Sequence, residues 1–358
     1  MPHCVHYGVC GGCISDTSDK PDKRARLAKA LARAGYEDAP IAPVVRVSLA
    51  SRRRVDFAAV RKGAEITLGL HKLRSHEVVD LQDCAVLLPE ILPLLPPLRG
   101  LLRSLQAFRH EASVVINWLD NGPDILLRTD AALTQPDRTR LIAFANTHHV
   151  PRLAVVEPKQ TPEPVVIWVT PVLHFAGVAV TPPPGGFLQA SAAGEAAIVS
   201  AMLAGLPKLR AKSRIIELYA GCGTLSFALA AQARVEAYEG DEATVAAAEK
   251  ALRAAGLAGR VSFTRRDLQR RPLLVREFQG ADVVVLDPPF SGAMAQIKFL
   301  APAAVGRIIY ISCNPEALTQ DAALLCRAGY RLRAVTPIDQ FPFSDHVESV
   351  LVFERAGR

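Results

Sequence analysis

From about residue 187 onward, short runs rich in β-branched residues alternate with alanine- and leucine-rich stretches. That alternation predicts an α/β domain built on a doubly wound sheet. Strands are expected at 214–219, 234–239, 261–265, 281–287, 307–312, 331–336 and 347–354, seven in all. Upstream, 55–60 and 65–71 flank Arg61-Lys62-Gly63 and read as a hairpin. Strand-like runs at 113–119, 125–129, 152–156 and 165–170 surround a helical stretch near 137–149, the pattern of a mixed α+β unit that positions a substrate. Thr181-Pro-Pro-Pro-Gly-Gly186 suits the interior of neither helix nor strand and marks a boundary. Three regions follow: a front segment 1–90, a central α+β domain 91–186 and a C-terminal α/β domain 187–358.

Composition narrows the class. Half of the 358 residues are hydrophobic and 22% are charged, which excludes disorder, collagen and coiled coil. The longest apolar stretch, 165–180, is interrupted by Pro171 and is shorter than the roughly 20 residues a bilayer requires. The opening Met-Pro-His-Cys-Val-His has no basic segment before an apolar one, so no secretory signal is visible and the cytoplasm is expected. A monomer is the default, and no membrane partner is expected. The formal charge is +7, and its position carries more information than its size. Residues 1–75 hold 14 lysines and arginines against 7 acids, whereas the rest of the chain is balanced at 28 of each. A basic helix near 20–35, with Lys20, Lys23, Arg24, Arg26, Lys29 and Arg33, is either a solvated face or a contact for a polyanion such as RNA.

Seven cysteines in a cytosolic chain point to free thiols, metal ligands or catalysts rather than disulfides. Cys4, Cys10 and Cys13 form Cys-x5-Cys-Gly-Gly-Cys, and Cys84 follows after 70 intervening residues. The glycines let the backbone turn tightly enough to aim several thiolates at one centre. Four such sulfurs suit an iron-sulfur cluster or tetrahedral zinc, and spacing alone does not separate the two. His3 and His6 lie beside them and read as surface histidines.

The first strand of the C-terminal domain runs into Glu217-Leu-Tyr-Ala-Gly221-Cys-Gly223-Thr224, where glycines allow close approach to a ligand at the strand's carboxyl end. Ser226 occupies the place of the third glycine of a dinucleotide fingerprint, which weakens a nicotinamide reading. Acids end the next strands: Glu239, Asp267, then Asp287-Pro-Pro-Phe290. The pattern resembles a class I methyltransferase domain binding S-adenosylmethionine. That resemblance implies Glu239 on the ribose, Asp267 near the adenine, and Tyr219, Gly221, Gly223 and Thr224 lining the cofactor.

The fifth strand delivers Cys313 in Ser-Cys-Asn-Pro at the same sheet edge, whereas Cys222 and Cys326 read as core thiols. Thirty-five residues later, Glu348 opens an otherwise apolar strand, a costly place for an idle carboxylate. A thiol and a carboxylate beside a methyl donor fit one chemical problem. Carbon 5 of uracil is a poor nucleophile, and thiolate addition at carbon 6 creates an enolate able to attack a sulfonium methyl. A base must then remove the carbon 5 proton, and Glu348 is the expected base, with His346 as its competitor.

With these residues in view, nearly the whole chain resembles the RNA uracil-5 methyltransferase family, whose bacterial members modify 23S ribosomal RNA or transfer RNA. The cysteine pattern is similar to that of the ribosomal RNA branch, which implies a [4Fe-4S] cluster rather than zinc on Cys4, Cys10, Cys13 and Cys84. Gly-Phe-Leu-Gln189 resembles the family's Phe-x-Gln, implying that Gln189 touches the cofactor; Asp287 falls at a donor-binding position. Cys313 matches the nucleophile motif and His346-Val-Glu348 the base motif. Two departures stand out. Phe290 replaces the arginine that many relatives carry after Asp-Pro-Pro, and this chain starts almost at its first cluster cysteine, where longer relatives begin with a TRAM barrel. RNA, with 23S ribosomal RNA favoured over transfer RNA, is then expected to lie on the basic front region, including Arg52-Arg53-Arg54, and the central domain. Two competing functions remain open at this point. Asp-Pro-Pro-Phe also resembles enzymes that methylate exocyclic amines of bases, and the cysteines alone are compatible with a noncatalytic RNA-binding or redox-sensing protein.

Overall fold

The computed structural model describes residues 4–14 and 22–355; His3 and Lys20 lie outside them. The described chain begins with a cysteine-bearing loop, helix α1 (Lys23–Arg33) and a short strand β1 (Val45–Arg46). Next come β2 (Arg54–Lys62), β3 (Glu65–His71), β4 (Val78–Asp80), α2 (Leu95–Ser104), β5 (Glu111–Leu119), β6 (Gly122–Arg128), α3 (Gln135–Thr147), β7 (Arg152–Val156) and β8 (Glu163–Ile167). These strands form one seven-stranded sheet in the order β4-β3-β2-β5-β6-β7-β8. The β2–β3 turn sits at Gly63-Ala64, with Gly63 at φ +62°, one residue later than the pattern suggested. The expected boundary at residue 90 therefore runs through one sheet. Its core unites Phe57 and Leu68 with Leu102, Ile116 and Leu153.

A ribbon of β9 (Leu173–Phe175) and β10 (Val178–Val180) precedes the irregular 181–186 segment. Beyond it lie α4 (Ala192–Ala204), β11 (Arg214–Leu218), α5 (Thr224–Ala230), β12 (Arg234–Glu239), α6 (Glu242–Ala254), β13 (Val261–Arg265), β14 (Val283–Leu286), α7 (Met294–Leu300), β15 (Arg307–Ser312), α8 (Pro315–Arg327), β16 (Tyr330–Asp339) and β17 (Glu348–Arg355). The second sheet runs β1-β16-β17-β15-β14-β11-β12-β13. It has eight strands where seven were expected, because β1 pairs in parallel with β16 through Val45–Ile338 and Arg46–Asp339. Two residues from the front segment carry too little pattern to read as a strand; the exposed edge of β16 recruits them. All neighbours are parallel except β17, which is antiparallel to both β15 and β16.

Strands buried on both faces read as continuous apolar runs, as in Val283–Leu286, where every side chain is buried. Helix α1 belongs to this half of the molecule: Leu27 and Leu31 pack in one core with Leu318 and Leu325 of α8. The winding reverses between β11 and β14, and such a switch point opens a crevice at the strands' carboxyl ends. No helix among the described residues is long and apolar enough to cross a membrane.

Candidate active site

The crevice is shaped by backbone strain at the end of β11. Tyr219 takes φ +64°, Gly221 +56° and Gly223 +93°. Such angles are costly for a tyrosine, so the surrounding structure holds the turn in place. A Cβ at Gly223 would meet the Phe227 ring at 2.6 Å, whereas one at Gly221 would enter open space. Gly223 is thus demanded by packing of α5, and Gly221 leaves a cradle free for a ligand. Glu239 closes that cradle, accepting from the amides of Gly221 at 2.9 Å, Gly240 at 2.6 Å and Asp241 at 2.9 Å. Asp267 accepts from the amides of Gln269 and Arg270, and Thr224 opens α5. Beneath them Glu217 is fully buried and accepts from the Ser226 hydroxyl. Burial pushes its carboxyl up to about 8. The buried Tyr219 hydroxyl and Glu217 Oε1 have no protein partner. An open cradle, acids at three strand ends and orphaned polar atoms fit a polar nucleoside-bearing cofactor.

The nucleophile candidate meets the carboxylate through strand register. Ser312 pairs with Ser349 across antiparallel β15 and β17, so the next residue on one strand, Cys313, and the preceding one on the other, Glu348, fall at the same end. Asn314 fixes the turn: its Oδ1 accepts from the Glu316 amide to cap α8, and its Nδ2 donates to the Phe290 carbonyl at 2.8 Å. Cys313 is half-buried and Glu348 only 5% exposed. Burial, then the charges of Glu348 and Asp287, push the Cys313 thiol up to about 12. Burial, with Asp287 adding to it, pushes Glu348 up to about 8, while burial alone raises Asp287 to about 7. A thiol and two carboxyls thus crowd one poorly hydrated site.

A hydrogen-bonded chain spans that site: Gln189 Nε2 donates to Asp287 at 3.3 Å, Gln340 Nε2 donates to Gln189 Oε1 at 3.0 Å, and Gln340 also bonds Glu348. Gln340 escaped the sequence reading because a lone glutamine before Phe-Pro-Phe looks like loop surface, although it is only 5% exposed. His346 is exposed, and its ring stands against Phe290 and Phe341. Partial desolvation by these neighbours, then the charges of Arg26 and Lys23, lower its pKa.

Cys4, Cys10, Cys13 and Cys84 line a single cavity of about 310 Å³. Gly11 allows the loop to lie on β3: its amide donates to the His71 carbonyl at 2.8 Å, and a Cβ there would come within 2.9 Å of that oxygen. His6 is structural, its ring accepting from the Gln82 amide. Among the described residues no three His, Cys, Asp or Glu side chains are arranged to hold a metal ion. Burial and the other three cysteines push Cys13 up to about 12.

A groove of about 900 Å³ contains Cys313 and Glu348 and shares Cys13, Arg52, Arg54 and Phe343 with the cysteine cavity. The expected arginine run divides within it. Arg53 is 5% exposed, paired with Glu195 at 2.6 Å and donating to the Gln189 carbonyl at 3.2 Å, so it clamps the Gln189 loop and offers nothing to RNA. Alternation along the strand turns Arg52 and Arg54 the other way, onto the groove wall. Lys23, expected on the basic helix face, is instead 4% exposed and ion-paired with Asp339. The described part of the helix is therefore a docked element.

Comparison with known proteins identifies the family. Residues 185–356 match the family of tRNA (uracil-5-)-methyltransferases. An RNA methyltransferase of Brucella suis is 36% identical over 99% of this chain and 84% of its own length. The 23S rRNA (uracil(1939)-C(5))-methyltransferase RlmD of Klebsiella pneumoniae is 31% identical over 99% of this chain and 81% of its own. The crystal structure of Pyrococcus abyssi tRNA (uracil-54, C5)-methyltransferase in complex with S-adenosyl-L-homocysteine shares the fold, with a TM-score of 0.68 at 19% identity over 92% of this chain and 81% of that one. The chain belongs to the RNA uracil-5 methyltransferase family, whose members depend on S-adenosylmethionine.

Proposed function

We propose that this member of the family methylates carbon 5 of a uridine in 23S ribosomal RNA through a covalent adduct on Cys313 that Glu348 resolves. The observation that carries it is the meeting of Cys313 and Glu348, 35 residues apart, at one strand end beside Asp287 in a groove with basic walls. Glu239, Asp267, Tyr219, Gly221, Gly223 and Thr224 would hold the adenosyl part of S-adenosylmethionine, and Gln189 and Asp287 its reactive end. When bound, this cofactor supplies an electrophilic methyl group on a positively charged sulfur. Burial, and then the flanking carboxylates, keep the Cys313 thiol protonated; a bound cation beside Asp287 would offset those charges and favour the thiolate, its proton leaving to solvent. Sulfur then adds to carbon 6 of the pyrimidine, and the resulting enolate reacts at carbon 5. Glu348, with a carboxyl near 8, is a stronger base than a solvated glutamate and suits removal of the carbon 5 proton, after which the carbon–sulfur bond breaks.

The four cysteines around one cavity are assigned a [4Fe-4S] cluster rather than zinc because their sequence pattern is similar to that of the ribosomal RNA branch, and backbone amides of Val86 and Leu87 bond the Cys84 sulfur. The cluster is assigned a clasping role, since the Ile14 amide donates to the Phe343 carbonyl at 2.7 Å and ties the cysteine loop to the segment leading to Glu348. The similarity to RlmD favours ribosomal over transfer RNA. The test uses RNA carrying 5-fluorouridine, whose carbon 5 has no removable proton. The wild type is expected to form a denaturation-stable adduct and Cys313→Ala none; full methylation by Cys313→Ala would overturn the mechanism. Mass mapping of 5-methyluridine in ribosomal and transfer RNA from a deletion strain identifies the substrate.

A further inference from the structure

The groove that holds the Cys313 thiol is also lined by an aromatic side chain that the chemistry above does not use. Phe290 is 57% exposed although it lines the groove holding Cys313 and Glu348. Its backbone is fixed by Asn314, and its ring stands edge to face with His346, centroids 6.0 Å apart at 73°. His346 meets Phe341 in the same manner at 5.8 Å and 66°, and the Arg52 guanidinium lies 5.7 Å over Phe341. Three rings and a cation thus cross the groove in a row. Phe187, also exposed, differs in that the Arg54 guanidinium covers its ring at 5.5 Å.

We propose that Phe290, backed by His346, is a positioning residue whose ring stacks on a nucleobase next to the target uridine. The inference rests on uridine methylation as the reaction. The target ring is excluded as the stacking partner, because sulfur addition at carbon 6 occupies one face of the pyrimidine and methyl delivery to carbon 5 the other. A neighbouring base loses its own stacking partner when the target turns out of the strand, and its π face suits any aromatic side chain without readout of its edge.

The test compares Phe290→Ala, Phe290→Trp and Phe290→Leu on whichever unmodified transcript, 23S ribosomal or transfer RNA, the wild type methylates. Phe290→Ala is expected to raise KM for RNA by about 5- to 140-fold, equivalent to about 1–3 kcal/mol of base–aromatic stacking. Its kcat should change by less than about threefold. Phe290→Trp should restore KM and Phe290→Leu should not. With 2-aminopurine placed on either side of a uridine in a single-stranded oligonucleotide, binding should quench the fluorescence of one neighbour in the wild type and not in Phe290→Ala. An unchanged KM, or rescue by leucine equal to that by tryptophan, overturns the inference while leaving uridine methylation intact. Failure of the wild type to methylate either RNA overturns the reaction itself and this inference with it.

Discussion

Replacing Glu348 by glutamine separates the two things its burial does. The side chain keeps its size and its bond to Gln340 but loses the charge. In the native chain the carboxyl is raised from 4.5 to about 8 by burial and by Asp287. Between those values the folded chain retains a proton that the unfolded chain has released. Folding is therefore weakened as pH rises through the window, by up to about 1.4 kcal/mol per unit and about 5 kcal/mol in all. Below 4.5 both states are protonated and the amide brings no advantage. The thermal midpoint of Glu348→Gln is thus expected to match wild type near pH 4.5 and to exceed it by several degrees above pH 8. Catalysis should move the opposite way. Loss of a general base lowers turnover by about 10²–10⁴, yet methyl transfer precedes the lost step. Glu348→Gln should accumulate a covalent adduct with ordinary uridine RNA, carrying label from methyl-labelled cofactor through a denaturing gel. Wild-type turnover by the variant, or complete inactivity without adduct, would refute the assignment of Glu348 as the resolving base. Equal midpoints above pH 8 would refute its desolvation.

Other substitutions probe the supporting structure. Gly223→Ala forces φ +93° on a residue with a Cβ and drives that carbon to 2.6 Å from the Phe227 ring. It should cost at least about 1–2 kcal/mol and weaken binding of S-adenosylhomocysteine, as read by melting and calorimetry; native affinity would show that the turn does not shape the cradle. Arg53→Ala leaves the largely buried Glu195 without its partner, and loss of about 3–5 kcal/mol in a denaturant titration is expected, whereas a loss under 1 kcal/mol would mean that the pair is exposed in solution. Cys10→Ala should lower iron content, soluble yield and RNA affinity before it changes single-turnover methyl transfer. Unchanged stability and RNA affinity in iron-free protein would contradict the clasping role.

Local pattern by itself determined the C-terminal strands, several to the residue: 234–239, 261–265 and 307–312 coincide with β12, β13 and β15. It also determined which chemistry-bearing residues end those strands, because a period of two and the run-turn-helix alternation are imposed by short-range sterics. Tertiary structure alone decided the rest. Nothing in the spacing of Cys313 and Glu348 says that they meet; antiparallel insertion of β17 beside β15 does. Gln340 became a partner of Glu348, Arg53 a buried clamp, Lys23 an internal ion pair and Val45–Arg46 an eighth strand only when distant segments packed against them. Polar side chains carry no local signature of burial: Arg53 finds its partner 142 residues away and Lys23 316 residues away, and a carboxylate's pKa is set by whatever excludes water from it once the chain has closed.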